Sequence, residues 1–158
     1  MARKAKTATG AKSVARTGTA ARTGTAARTS PADGASGRRI LFVDDEPEVV
    51  EPLVEAARGL GFVTAVLEDG HRLDRTLADF GPTHVVVDLV MPEVDGIDVL
   101  LALSRLPRVP RIIVVSGYHW GVIESARILA ESYALTDVEW LKKPIDLDRF
   151  EAALGLAV

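Results

Sequence analysis

From residue 40 onward the chain alternates between two patterns of apolar and polar positions. Short apolar runs, many of them rich in valine and isoleucine, occur at Ile40 to Val43, Phe62 to Leu67, His84 to Val87, Arg111 to Val115 and Val138 to Leu141. Runs this short read as strands. Between them lie longer segments with apolar residues every three or four positions, as in a helix with one buried face. The first starts at Pro47 and runs to about Gly59-Leu60-Gly61, with Val49, Val50, Leu53, Val54 and Ala57 on one side. Pro47 suits a first helical position, where its missing N–H is no loss, whereas Pro52 inside the helix predicts a slight bend. The others are His71 to Phe80, Gly96 to Leu106, Val122 to Tyr133 and Leu147 to Leu154. Five strands alternating with five helices predict a parallel sheet covered on both faces. Right-handed crossovers then give an α/β, doubly wound, five-stranded sheet of order 2-1-3-4-5, a flavodoxin-like arrangement.

Composition narrows the possibilities. The 158 residues are 47% hydrophobic, enough for one ordinary core, yet no apolar run approaches the ~20 residues that cross a bilayer. There is no cysteine, which excludes disulfides, thiolate metal sites and cysteine nucleophiles. His71, His84 and His119 stand at no ligand-like spacing.

The net charge of −3 conceals a division. Residues 1 to 39 hold nine Lys or Arg and one acid, a balance of +8, and the remainder balances at −11. ARTGTA occurs at 15 to 20 and again at 21 to 26, in a stretch with almost no large apolar side chain. Such a segment cannot offset its ordering entropy, so residues 1 to 38 read as a disordered basic low-complexity leader and 39 to 158 as the folded domain. The leader's role stays open among a solvated linker, nonspecific contact with nucleic acid or another anionic surface, and a transit peptide. The steady repeat argues against the last.

The candidate chemistry sits where strands end. Strand 1 runs into Asp44-Asp45 and strand 3 into Asp88. In a sheet of this order, ligands bind beyond the C-terminal strand ends at the switch point between strands 1 and 3, so three carboxylates meet at one mouth. Clustered acids raise one another's pKa unless a cation is present, and a hard, oxygen-preferring ion such as Mg²⁺ or Mn²⁺ resolves the conflict. Strand 4 ends in Ser116-Gly117 and strand 5 leads into Lys142-Lys143-Pro144. A carboxylate nucleophile, a metal, a hydroxyl, a free N–H and a lysine together suit an acyl phosphate, whose charge they clamp from several sides.

The segments FVDDEP, VVVDLVMPEVDG, VVSG and LKKP, in that order over residues 40 to 158, resemble the receiver domain of two-component response regulators. The resemblance implies that Asp88 is the phosphoacceptor, supplied by a sensor histidine kinase or a phosphotransfer protein. It implies Asp45 as a direct Mg²⁺ ligand and Asp44 largely through water, with Asp88 and the Val90 carbonyl completing the set. Ser116, Lys143 and the Gly117 N–H would hold the phosphoryl oxygens, and the Lys143–Pro144 bond is expected to be cis. Met91-Pro92 and Asp95-Gly96 match the family's loop after the acceptor.

The resemblance also has departures. The family's switch position, coupled to Ser116, usually holds Tyr or Phe; here it is Trp140, whose larger ring either restricts the inward swing or simply packs the sheet edge. The resemblance also implies that Val90 and Tyr118 border the path of the hydrolytic water, and as they offer little to orient it, slow self-dephosphorylation is expected. The expected function is that of a stand-alone, chemotaxis-regulator-like cytoplasmic relay. It is not an enzyme in its own right, is a monomer or weak dimer, and acts on an unidentified downstream protein with no nucleic acid. The alternatives are a regulator acting through its basic leader, and a Mg²⁺-dependent phosphohydrolase, disfavoured because strand 1 lacks an Asp-x-Asp motif.

Overall fold

The computed structural model describes residues 28–29, 37–92, 95–117 and 120–156. Its five parallel strands are β1 (Arg39–Val43), β2 (Val63–Leu67), β3 (His84–Asp88), β4 (Arg111–Ser116) and β5 (Val138–Lys142). They follow the order β2-β1-β3-β4-β5, as the alternating pattern predicts. The helices are α1 (Pro47–Gly59), α2 (Leu73–Phe80), α3 (Gly96–Ser104), α4 (Trp120–Ser132) and α5 (Leu147–Ala153). A 3-10 turn, Gly70–Arg72, leads into α2.

One feature was not expected. Within the stretch read as a leader, Arg28–Thr29 pairs antiparallel with β2, Arg28 opposite Val66 and Thr29 opposite Ala65. The sheet is therefore one short strand wider than the apolar pattern predicts. Two residues of a polar repeat carry no periodicity by which a strand could be recognised. The rest of the leader, apart from Gly37 and Arg38, lies outside the described residues.

Both faces of the sheet are covered, so successive strand residues are buried alternately on opposite sides. Leu41, Val43, Val85, Val87, Ile112 and Val114 face one core with α2, α3 and α4. Ile40, Phe42, Val86, Ile113 and Val115 face the other, with α1 and α5. Caps fix where two helices begin: the Asp95 carboxylate accepts from Ile97 N–H at 2.9 Å, and that of Asp146 from Arg149 N–H at 3.0 Å. Such caps satisfy N–H groups that no helical carbonyl reaches.

Gly96 opens α3 under tight constraint. A Cβ there would stand 2.5 Å from the Asp88 carbonyl oxygen and 2.6 Å from Leu89 Cα. Neither backbone atom can move without disturbing β3, which positions Asp88. Gly96→Ala is therefore expected to cost about 3 kcal/mol or more; a loss below about 1 kcal/mol in urea unfolding would contradict this packing.

The N-terminal ends of the strands are tied by polar latches. Arg39 Nε donates to the Gly81 carbonyl at 2.7 Å, and Arg111 Nε to that of Ala153 at 2.6 Å. His84 lies between Thr83 Oγ1 at 2.9 Å and the Leu154 carbonyl at 3.1 Å, with its ring edge-on to Phe62. Burial lowers the His84 pKa, against the opposing pull of the Leu154 carbonyl. The unfolded chain thus takes up this proton first, and stability contributed by neutral His84 is lost as pH falls from about 6.5 through the lower folded value. One proton sets a slope of at most about 1.4 kcal/mol per pH unit. Unfolding titrations between pH 7 and 5 should show this slope in the wild type and a shallower one in His84→Gln.

Candidate phosphoryl-acceptor site

The site lies beyond the C-terminal ends of β1, β3, β4 and β5, where the chain leaves strand geometry at each crossover. Asp44 and Asp88 are both 3% exposed. Apolar neighbours on two faces bring these carboxylates out of water, and the exposed backbone beside them supplies partners. Asp44 Oδ1 accepts the Glu46 N–H at 2.8 Å, and Asp88 Oδ1 accepts the Val90 N–H at 3.0 Å. Each acid is thereby anchored by the amide two residues further on.

Lys143 converges on the same place from β5. Its Nζ lies 2.7 Å from Asp88 Oδ2, 2.9 Å from Glu46 Oε1 and 3.3 Å from Asp44 Oδ2. The Lys143–Pro144 peptide bond is cis, as expected. Burial alone would lower the lysine's pKa. The hydrogen bonds to Asp88 and Glu46, with the Asp44 and Asp88 charges, overcome this and hold it above the ordinary lysine value. Asp44 moves the other way from a usual paired acid: desolvation raises its pKa, and the Glu46 N–H and Lys143 offset this only in part. One ammonium does not neutralise the acids around it.

The carboxylates of Asp44, Glu46 and Asp88 place ligand atoms within 4.8 Å of one another. All the donors are hard oxygens, which fits Mg²⁺ or Mn²⁺ and suits no soft metal. Asp45, expected as the direct ligand, is half-buried and stands outside this group, whereas Glu46, which sequence reasoning passed over, belongs to it. Glu46 is the residue before the first turn of α1, with extended φ and ψ. That local geometry places it in the group with Asp44; its only sequence signal was an acid two positions after Asp44.

Ser116 is 1% exposed at the end of β4, its carbonyl accepting the Lys143 N–H at 2.9 Å. Gly117 is exposed, and a Cβ there would lie 3.7 Å from Lys143 Cβ. Val90, whose carbonyl was expected among the metal ligands, contributes its N–H to Asp88, and its side chain is 39% exposed. Trp140 is half-buried on β5, with the Arg127 guanidinium 5.4 Å from its ring centre. That contact ties α4 to the edge strand. Tyr118 and His119 lie outside the described residues.

Known proteins share both sequence and architecture with this chain. It is 31% identical over 123 residues to the photosynthetic apparatus regulatory protein RegA of Rhodobacter capsulatus, covering 78% of this chain and 64% of that protein. It is 38% identical over 79 residues to the DNA-binding response regulator MtrA of Mycolicibacterium smegmatis, covering 50% of this chain and 35% of the relative. The match thus spans about a third of MtrA's length. The crystal structure of a response regulator signal receiver domain from Bermanella marisrubri superposes with a TM-score of 0.61 at 28% identity, covering 74% of this chain and 94% of that one. The model of the family described as response regulator receiver domain matches residues 40–155. Those residues hold every strand end that meets at the acidic mouth, and the chain belongs to the response regulator receiver domain family.

Proposed function

We propose that this chain receives a phosphoryl group on Asp88 from a sensor histidine kinase or a phosphotransfer protein and passes the signal on through a change of its partner-binding surface. The observation that carries this reading is Asp88 itself: buried at a strand end, anchored at Oδ1, with Oδ2 turned toward Lys143, Glu46 and Asp44. In the proposed step Oδ2 attacks phosphorus, the bond from phosphorus to the donor nitrogen or oxygen breaks, and the donor leaves with that electron pair. Lys143 then exchanges its contact with Oδ2 for the phosphoryl oxygens, with Ser116 and the Gly117 N–H beside it. Asp44, Glu46 and Asp88, with Asp45 and the Val90 carbonyl as further candidates, would hold Mg²⁺ or Mn²⁺. When bound, that ion supplies neutralisation of the charge on the transferring group.

Receiver domains of this family are in general phosphoacceptors rather than enzymes in their own right. The proposed output surface is α4, β5 and α5, where Ile128 is 59% exposed and Arg127 covers Trp140. A switch there would exchange one packing of Trp140 for another. The names of relatives such as MtrA refer to DNA binding, and the chain matches only a third of that protein, so a nucleic-acid output remains a second reading. Among the described residues no helix is long and apolar enough to cross a membrane, and a cytoplasmic setting belongs to the same proposal. The test is incubation of the full chain with acetyl phosphate and Mg²⁺: label that hydroxylamine and alkali release is expected, and a chain that takes up no label would overturn the reading.

Lifetime of the signal follows from the same geometry. Val90 places an apolar side chain two residues past Asp88, with nothing to align a water against phosphorus. Losing a positioned group commonly costs on the order of 10²-fold in rate. Phosphate release should therefore be slow, and Val90→Asn should speed it. Release within seconds by the wild type, unchanged in the variant, would contradict the proposal.

A further inference from the structure

Beside the acidic mouth, α1 and β2 enclose a groove of about 360 Å³ whose walls include Asp44, Glu51, Glu55 and Glu68. Against these four carboxylates, Arg58 is the single cation among the lining residues. The groove thus has a surplus of carboxylates. β2 also forms the flank of the parallel sheet, and its hydrogen bonds show which groups face outward. Val63 N–H donates to Arg38 and the Leu67 carbonyl accepts from Asp44, so these alternate residues face β1. Thr64 and Val66 face the other way.

Arg28–Thr29 lies on that flank, and its register gives a direction. Arg28 opposes Val66 and Thr29 opposes Ala65, so the antiparallel pair lies with Arg28 on the Leu67 side, the end of β2 nearest the acidic mouth. The residues preceding Arg28, 1 to 27, carry Arg3, Lys4, Lys6, Lys12, Arg16 and Arg22 and no acid. Six residues of extended chain span up to about 20 Å, which brings Arg22 within reach of a groove that begins beside Val66.

We propose that the basic repeat preceding Arg28 docks along the groove between α1 and β2, with Arg16 and Arg22 against Glu51 and Glu55. Two independent features point to this occupant: the opposite charges of leader and groove, and the strand pairing that sets Arg28 opposite Val66 in the groove wall. The repeat needs no apolar residues for this role, since it is held by backbone pairing and charge. Asp44 belongs to the same wall, so the leader's arginines stand next to the acidic mouth and contribute to its electrostatics. The inference does not depend on phosphoryl chemistry.

The experiment is amide hydrogen exchange of Val66 and Glu68, followed by NMR on the full chain at low salt. Arg16→Ser/Arg22→Ser should speed exchange at both amides at least about threefold, and so should Glu51→Gln/Glu55→Gln, while amides in β3 and β4 stay unchanged. Raising salt to about 0.5 M, where the Debye length falls to a few ångströms, should bring the wild type to the variants' rates. Rates unaffected by the arginine substitutions overturn the proposal. So does acceleration by the arginine pair without any by the glutamate pair, which would mean the leader's seat is elsewhere. Exchange that slows with protein concentration would give the groove to a second copy's leader and overturn docking within one chain.

Discussion

Asp88→Asn will abolish labelling by acetyl phosphate, a loss of at least about 10³-fold, with the fold intact. The magnitude follows from the kind of group removed. Asparagine keeps the shape and the oxygen that accepts the Val90 N–H, but its nitrogen replaces an oxygen on the Lys143 side and has no nucleophilic electron pair to offer. Deleting a nucleophile removes the whole pathway, whereas deleting a stabilising donor typically costs 10²–10³-fold. Lys143→Ala should therefore fall between the wild type and Asp88→Asn, because the nucleophile survives without its cationic partner. Radiolabel uptake on intact protein ranks the three. Wild-type labelling of Asp88→Asn would move the acceptor to another residue, and a Lys143→Ala chain indistinguishable from wild type would remove the lysine from the transfer step.

The second large effect concerns stability. Asp44 is buried, and its pKa is raised by desolvation, so ionisation at this position favours the unfolded state. The stability it contributes is fully present below the ordinary value of 3.8 and lost as pH rises through the folded value. At neutral pH the ionised group is therefore a cost. Asp44→Asn should melt a few degrees higher than wild type in the absence of divalent ions, about 2–5 °C for a domain of this size. Adding Mg²⁺ should reverse the ranking. An ion at 100 times its dissociation constant stabilises the folded state by about 2.7 kcal/mol, and the variant, lacking one carboxylate of the group, forgoes most of that. Melting curves with chelator and with Mg²⁺ test both halves. A variant less stable than wild type in chelator, or one that keeps the full Mg²⁺ response, would contradict the account.

The sequence made most of the scaffold legible for a physical reason: both faces of the sheet are covered, so each strand is a short apolar block that ends abruptly in polar residues. Asp44, Asp88 and Ser116 stand at those boundaries, and the fold order alone brings them to one end. What escaped was whatever depends on backbone angles or on weak local signals. Glu46 joins the acidic group because of the conformation of the turn before α1, which no periodicity encodes. The cation over Trp140 comes from α4, thirteen residues earlier, and only the packing of α4 against the sheet brings the two together. Arg28–Thr29 was hidden by a repeat with no apolar alternation.

The polar latches at the opposite end of the sheet carry a consequence for how such a chain diversifies. Arg39, His84 and Arg111 fasten strand beginnings to the loop after α2 and to the C-terminal end of α5, about a full strand length from Asp88. Substitutions around the mouth therefore act on groups well separated from those fasteners. Effects at well-separated sites usually add rather than compound. A lineage can thus alter the acidic mouth at one pole while the other pole keeps the chain folded. Duplicated copies of such a gene are then free to drift toward separate circuits, each change tried one at a time against an undisturbed frame.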